Sequence, residues 1–142
     1  MKVQDIMTGE PRSVTPDSTA REAAQLMKEI NAGVIPVVES TSSKKLVGVI
    51  TDRDIAMRVV AEGKDAGCRV SEVMSSGNLK TCAPADDVDR VMETMSREQV
   101  RRIPIVDERG SLVGIVAQAD IVRKADDKKA ERTVEKISQP GR

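Results

Sequence analysis

Residues 48–54, Gly48-Val49-Ile50-Thr51-Asp52-Arg53-Asp54, are echoed by residues 114–120, Gly114-Ile115-Val116-Ala117-Gln118-Ala119-Asp120. Each stretch reads as the end of an apolar strand running into the start of a helix. The echo extends outward on both sides. Leu46-Val47 matches Leu112-Val113, and Ile55 matches Ile121, all at a spacing of 66 residues. Upstream the spacing is 68: Pro16 with Pro84, Met27 with Met95, Ile35 with Ile103, Pro36 with Pro104, Val38 with Val106. The two-residue change falls in the polar run Ser40-Thr41-Ser42-Ser43-Lys44-Lys45, which reads as a turn, where a change of length costs little. Matches that keep register across one loop-sized shift identify a duplication.

Each copy has the same order of elements. A short extended piece, Ser13-Val14-Thr15 or Lys80-Thr81-Cys82, precedes a proline. A helix follows. Thr19-x-x-Glu22 has capping-box spacing, and Asp86 or Asp87 can cap the second copy. Ala20, Ala23, Ala24, Met27 and Ile30 recur at helical spacing, as do Val88, Val91, Met92 and Met95. Two apolar strands come next, Val34 to Val38 and Leu46 to Ile50, matched by Ile103 to Val106 and Leu112 to Val116. Their near-continuous apolar character predicts burial on both faces. A second helix begins after Thr51 and again after Ala117. The unit is β-α-β-β-α, twice, with residues 1–62 and 70–124 as the copies and 63–69 as the connection. Residues 125–142 form a charged tail, read as solvated or as a helix that packs on a partner subunit; its large apolar residues are Val134 and Ile137.

Composition narrows the chemistry. The 142 residues contain no Trp, Tyr, Phe or His, and 23 basic residues balance 23 acidic ones. Without His, the commonest general base and metal ligand is missing. Cys68 and Cys82 alone are too few for a zinc site. Without aromatics there is no ring platform for single-stranded nucleic acid, and the net charge of zero argues against an electrostatic nucleic-acid binder. No stretch approaches the roughly 20 apolar residues of a membrane span. Met1-Lys2-Val3-Gln4-Asp5 lacks the apolar core of a signal peptide, so the two cysteines are expected to be reduced thiols in a cytoplasmic protein.

The duplicated unit with Gly-hydrophobic-hydrophobic-Thr-x-x-Asp after its third strand resembles a cystathionine-β-synthase (CBS) domain pair, the Bateman module. Asp5-Ile6-Met7 and Glu72-Val73-Met74 before each unit, Ile35-Pro36-Val37-Val38, and Arg101-Arg102-Ile103-Pro104-Ile105-Val106-Asp107 support the likeness. The resemblance covers about residues 1 to 124 and is closest to the stand-alone bacterial type. Thr51-Asp52-Arg53-Asp54-Ile55 and Arg101-Arg102 look like members related to the hypoxic-response proteins. The implied fold is α/β of the α+β kind, two β-α-β-β-α units packed about a pseudo-twofold axis. The implied ligand is an adenosine compound (AMP, ADP, ATP or NAD-type) in a cleft between the units, and the implied assembly is a homodimer.

Thr51 and Asp54 have a physical case of their own. A helix N-terminus presents free N–H groups and a partial positive charge where phosphate can dock. The Thr51 hydroxyl can donate to phosphate, and the Asp54 carboxylate can accept both hydroxyls of a ribose. The same spacing is that of a capping box, in which the two residues simply close the helix. The second copy has Ala117 in place of the hydroxyl residue and keeps Asp120, so its cleft is expected to be degraded. Arg101 and Arg102 read either as surface cations at a helix C-terminus or as phosphate-binding forks. The resemblance implies that they serve the cleft of Thr51 and Asp54. Val49 and the Leu79-Lys80-Thr81 segment are candidates for base recognition by the same resemblance, with strand packing as their other reading; Lys80 can also add charge near a polyphosphate.

These readings predict a non-catalytic regulatory module that signals to an unidentified protein partner. It requires no cofactor, holds no metal, and binds neither nucleic acid nor membrane. A second reading is a structural CBS-pair dimer whose clefts stay empty.

Overall fold

The structure, a computed structural model, describes residues 1–124 and Ile137. The rest of the charged tail, including Val134, lies outside the described residues. The elements in chain order are a 3₁₀ turn (Val3–Asp5), β1 (Thr8–Gly9), α1 (Ala20–Ile30), β2 (Val34–Val38) and β3 (Leu46–Thr51). Then come α2 (Asp52–Asp54), continued by a π-helical stretch (Ile55–Val60), α3 (Val70–Val73), α4 (Val88–Glu98), β4 (Arg102–Val106), β5 (Leu112–Ala117) and α5 (Gln118–Lys124). No described helix is long and apolar enough to cross a membrane.

The helices start where their caps predict. The Thr19 hydroxyl accepts the Glu22 N–H at 3.1 Å, and Asp87 accepts the Asp89 N–H at 2.9 Å. Asp86 turns the other way and accepts the Ala83 N–H at 2.8 Å. Both helices end in a left-handed residue, Asn31 and Gln99, the same place in each repeat. In α1 the buried stripe is Ala20, Ala23, Leu26 and Met27, whereas Ile30 is exposed. Leu26 is buried in addition to the expected positions, Ala24 is only half-buried, and Ile30 is the last helical residue before the left-handed cap at Asn31.

Two antiparallel hairpins form, β2 with β3 and β4 with β5. Pro36 lies opposite Val49 and Pro104 opposite Ile115. Neither proline costs a ladder bond. The main-chain groups of Val49 point away from β2 and pair with Ser75, and the Pro36 carbonyl accepts the Val14 N–H. The two-residue difference between repeats is absorbed in the turns, residues 39–45 against 107–111. In the shorter turn the Asp107 carboxylate accepts the N–H groups of Arg109 and Ser111, both at 2.9 Å, and Gly110 takes a φ of 80°. The strands differ from the two-sided burial that their composition predicts. β2 and β4 are mostly buried, but β5 alternates buried and half-buried residues along its length and β3 does so from Gly48 onward. One face of β3 and β5 takes the core, and the other is only partly covered.

The chain groups into two compact units that do not follow the order of the repeats. One unit is Arg12–Leu79; the other is Met1–Pro11 with the chain from Lys80 onward. The segment that opens each copy in sequence completes the sheet of the other copy. Ser75 bridges Val49 on β3, with N–H to carbonyl distances of 2.9 and 2.8 Å, while Thr8–Gly9 pairs with Gly114–Ile115 on β5. The domain boundaries at residues 62 and 70 thus describe the sequence repeat, whereas the packed units change at Pro11 and Leu79. Each unit has its own core. One holds Val14, Ala23, Met27, Ile35, Val37, Ile50, Val59, Val70 and Val73. The other holds Val3, Ile6, Val91, Met95, Ile103, Ile105, Val116, Ile121 and Ile137. Ile137 is 1 % exposed, so one residue of the charged tail belongs to this core.

Candidate functional site at the strand-to-helix junction

The site begins where β3 ends. Thr51 leaves the strand with extended backbone and caps α2. Its hydroxyl accepts the Asp54 N–H at 3.0 Å, and Asp54 Oδ2 accepts the Thr51 N–H at 3.0 Å. The capping box is therefore complete, and two otherwise unpaired amides are satisfied reciprocally. Asp54 is 7 % exposed. Its carboxylate is reached by two further groups that the sequence reading did not include. The Ser75 hydroxyl donates across both oxygens, at 3.1 Å to Oδ1 and 3.2 Å to Oδ2. Arg58 Nε stands 3.7 Å from Oδ1, while Arg58 Nη1 donates to the Met74 carbonyl at 3.1 Å. Arg58 was legible as an i,i+4 partner of Asp54. Ser75 was not, because it lies 21 residues away and arrives only through the sheet edge.

Val49 belongs to the same neighbourhood. It is half-buried on β3 and tied to Ser75 by two backbone hydrogen bonds. Gly48 beside it is set by close approach. A Cβ there would lie 2.9 Å from the Ser75 carbonyl oxygen and 3.1 Å from the Met74 sulfur. Gly114 has the same task against Met7 and Thr8.

The remaining predicted residues fall in the other compact unit. Asp120 is 6 % exposed, and its carboxylate accepts the Ala117 N–H at 2.8 Å and meets Arg123 Nη2 at 2.8 Å. Half of the capping box is thus kept where Ala117 lacks the hydroxyl. Arg102 lies opposite Ala117 in the β4–β5 register, and the Arg101 carbonyl accepts the Gln118 N–H at 2.8 Å. Within their own unit the arginines therefore flank the strand end that carries Ala117. Gly33 and Val34 flank Thr51 and Asp52 in the same way. Arg101 is exposed; Arg102 and Lys80 are half-buried.

An open groove of about 710 Å³ lies elsewhere, between Pro84, Arg90, Asp107 and Arg109. Two of its three acidic side chains are already engaged. Arg90 pairs with Asp86 at 3.5 Å, and Asp107 is taken up by its own turn. The geometry at Thr51 and Asp54 is the better candidate, because a carboxylate and a helix start converge there. Among the described residues no cluster of three His, Cys, Asp or Glu is placed to hold a metal ion.

Comparison with known proteins gives a consistent picture. A family model for the CBS domain matches residues 3–61 and again 70–127. The CBS domain-containing protein YhcV of Bacillus subtilis is 46% identical over 119 residues, covering 84% of this chain and 81% of that one. The crystal structure of Hypoxic Response Protein I with two coordinated zinc ions superposes with a TM-score of 0.78 at 31% identity, covering 89% of this chain and 100% of that one. The CBS domain pair of protein MJ0100, in complex with 5′-methylthioadenosine and S-adenosyl-L-methionine, superposes with a TM-score of 0.73 at 32% identity, covering 87% and 94%.

Proposed function

This chain belongs to the CBS-domain family as a tandem pair, and from that premise we propose that it is a non-catalytic regulatory module for an adenosine-containing ligand. AMP, ADP, ATP and NAD-type compounds are the candidates. The observation that carries the reading is the buried Asp54 carboxylate at a helix start, with Thr51 beside it. A carboxylate suits a ribose diol, and a helix start suits phosphate. The adenosine compounds held by the MJ0100 pair, at 32% identity, support the ligand class. In this reading Arg101, Arg102 and Lys80 supply phosphate contacts, Val49 lines the base, and the Ala117–Asp120 site is the weaker one. The module acts as a cytoplasmic homodimer, and ligand biases an arrangement that a protein partner reads.

A second reading has support in one specific observation. The Asp54 carboxylate already has partners in Thr51, Ser75 and Arg58, as a purely structural capping box would. The two readings separate by thermal shift and calorimetry with millimolar AMP, ADP, ATP, NAD and S-adenosylmethionine. A ligand at 100 times its dissociation constant adds roughly 2.7 kcal/mol to native stability. No shift with any of them selects the structural reading. If ligand binds, Asp54→Asn should abolish binding and Asp120→Asn should reduce it less. Both aspartates close helix starts, but Asp54 carries more contacts, so the melting temperature of each variant is read alongside its binding to separate a lost site from a lost fold. The opposite order would reject the assignment.

A further inference from the structure

We propose that Ser75 is a lock on the Asp54 carboxylate, opened when a ribose diol takes its place; the proposal rests on the adenosine-ligand reading above. Asp54 has no idle oxygen. Oδ2 accepts the Thr51 N–H at 3.0 Å, Arg58 Nε stands 3.7 Å from Oδ1, and the Ser75 hydroxyl spans both oxygens at 3.1 and 3.2 Å. A serine hydroxyl has one proton, so its single donation is shared between two acceptors. A ribose diol carries two donors. Exchanging Ser75 for the diol replaces one shared hydrogen bond with two dedicated ones, at a carboxylate too buried to be served by bulk water. The Thr51 N–H stays in place throughout, so the helix start survives the exchange.

Ser75 is also a part of the sheet edge. Its backbone bridges Val49 in both directions, and Arg58 joins the Met74 carbonyl to the Asp54 side chain. Opening the lock removes the direct side-chain link between Asp54 and this edge and leaves the one through Arg58. The same segment continues to Leu79–Lys80, where the chain passes from one compact unit into the other. Ser75 is thus a positioning residue that joins the carboxylate of the proposed ligand site to the connecting segment. In the second repeat Asp120 is met by Arg123, a partner on the same helix.

The test is calorimetric titration of the full chain with AMP, ATP and S-adenosylmethionine, with 2′,3′-dideoxyadenosine as the diol-free control. Ser75→Ala should bind the diol compounds about tenfold tighter, the equivalent of losing one competing hydrogen bond to a charged group. Ser75→Cys, with its weak thiol donor, should tighten binding in the same direction and serves if the alanine variant does not fold. Ser75→Thr keeps the hydroxyl and should bind as the wild type does. Affinity for the dideoxy control should not respond to the substitutions. A wild type that binds while Ser75→Ala and Ser75→Cys bind equally or more weakly overturns the lock alone. A wild type that binds none of the three compounds overturns the adenosine reading and the lock together.

Discussion

Asp54 and Asp120 share one structural task and differ in how completely they perform it. Each carboxylate accepts the N–H three residues before it, but only Thr51 returns a hydroxyl to the box. Ala117→Thr should restore the missing half. The expected gain is about 1 kcal/mol of unfolding free energy, as for other caps, read from urea denaturation; an unchanged or lowered midpoint would contradict the pairing of the two junctions. Cys82 shows a different residue-level effect. Burial, and then the nearby Asp86 charge, push its thiol above the ordinary 9.0. The folded state therefore holds this proton more tightly than the unfolded state. That contribution to stability is complete below pH 9.0 and is lost as pH rises through the higher folded value. At neutral pH, alkylation followed by mass spectrometry should label the half-buried Cys68 well before Cys82. Equal labelling rates in the native protein would count against the burial argument.

At the scale of elements, the glycine of each junction is explained by what packs over it. The obstacle at Gly48 is the Ser75 backbone carbonyl, 2.9 Å from where an added methyl would sit; at Gly114 the nearest atom is the Met7 sulfur, 2.5 Å away on a flexible side chain, and the Thr8 backbone carbonyl stands farther off at 3.1 Å. A flexible side chain can yield and a bridged backbone cannot. Gly48→Ala should therefore cost more than Gly114→Ala, with Gly48→Ala in the range of about 1–3 kcal/mol that overpacking carries. Thermal melts of the two single variants check the order, and a larger loss at Gly114 would reject it. The helices and hairpins themselves were legible because their signals are local. Thr19 and Asp87 capped as their spacing predicts, and the two-residue shift between repeats fell in the turn. The stripe of α1 differs from the expected one in Leu26, which is buried at i+3 from Ala23, in Ala24, which is half-buried, and in Ile30, which is exposed at the helix end beside the left-handed cap at Asn31.

At the scale of the whole molecule, repeat and packed unit are different things. The core built on the first repeat includes Val70 and Val73, which belong by sequence to the second copy. A fragment of residues 1–62 lacks both, and lacks the Ser75 edge. A fragment of residues 12–79 contains that core entire. Circular dichroism should show a cooperative melt for the second fragment and none for the first; cooperative folding of residues 1–62 would dismiss the crosswise edges as an energetic feature. Ile137 extends the point, since it comes from a tail that reads as charged and solvated and yet lies in the core with Val3, Ile6 and Met95.

The amino-acid order by itself determined the duplication, from matches 66 and 68 residues apart, and the β-α-β-β-α unit, the caps and the candidate pair Thr51 and Asp54, whose signals lie between residues a few positions apart. It also excluded ring stacking and histidine chemistry outright, since those side chains are absent. Only the tertiary structure decided which segment closes which sheet, that Ser75 reaches Asp54, and that Ile137 is buried. Ser75 and Ile137 are brought in by the chain's return across the fold. Such a return depends on which surfaces must be covered together, and no local pattern of residues records that.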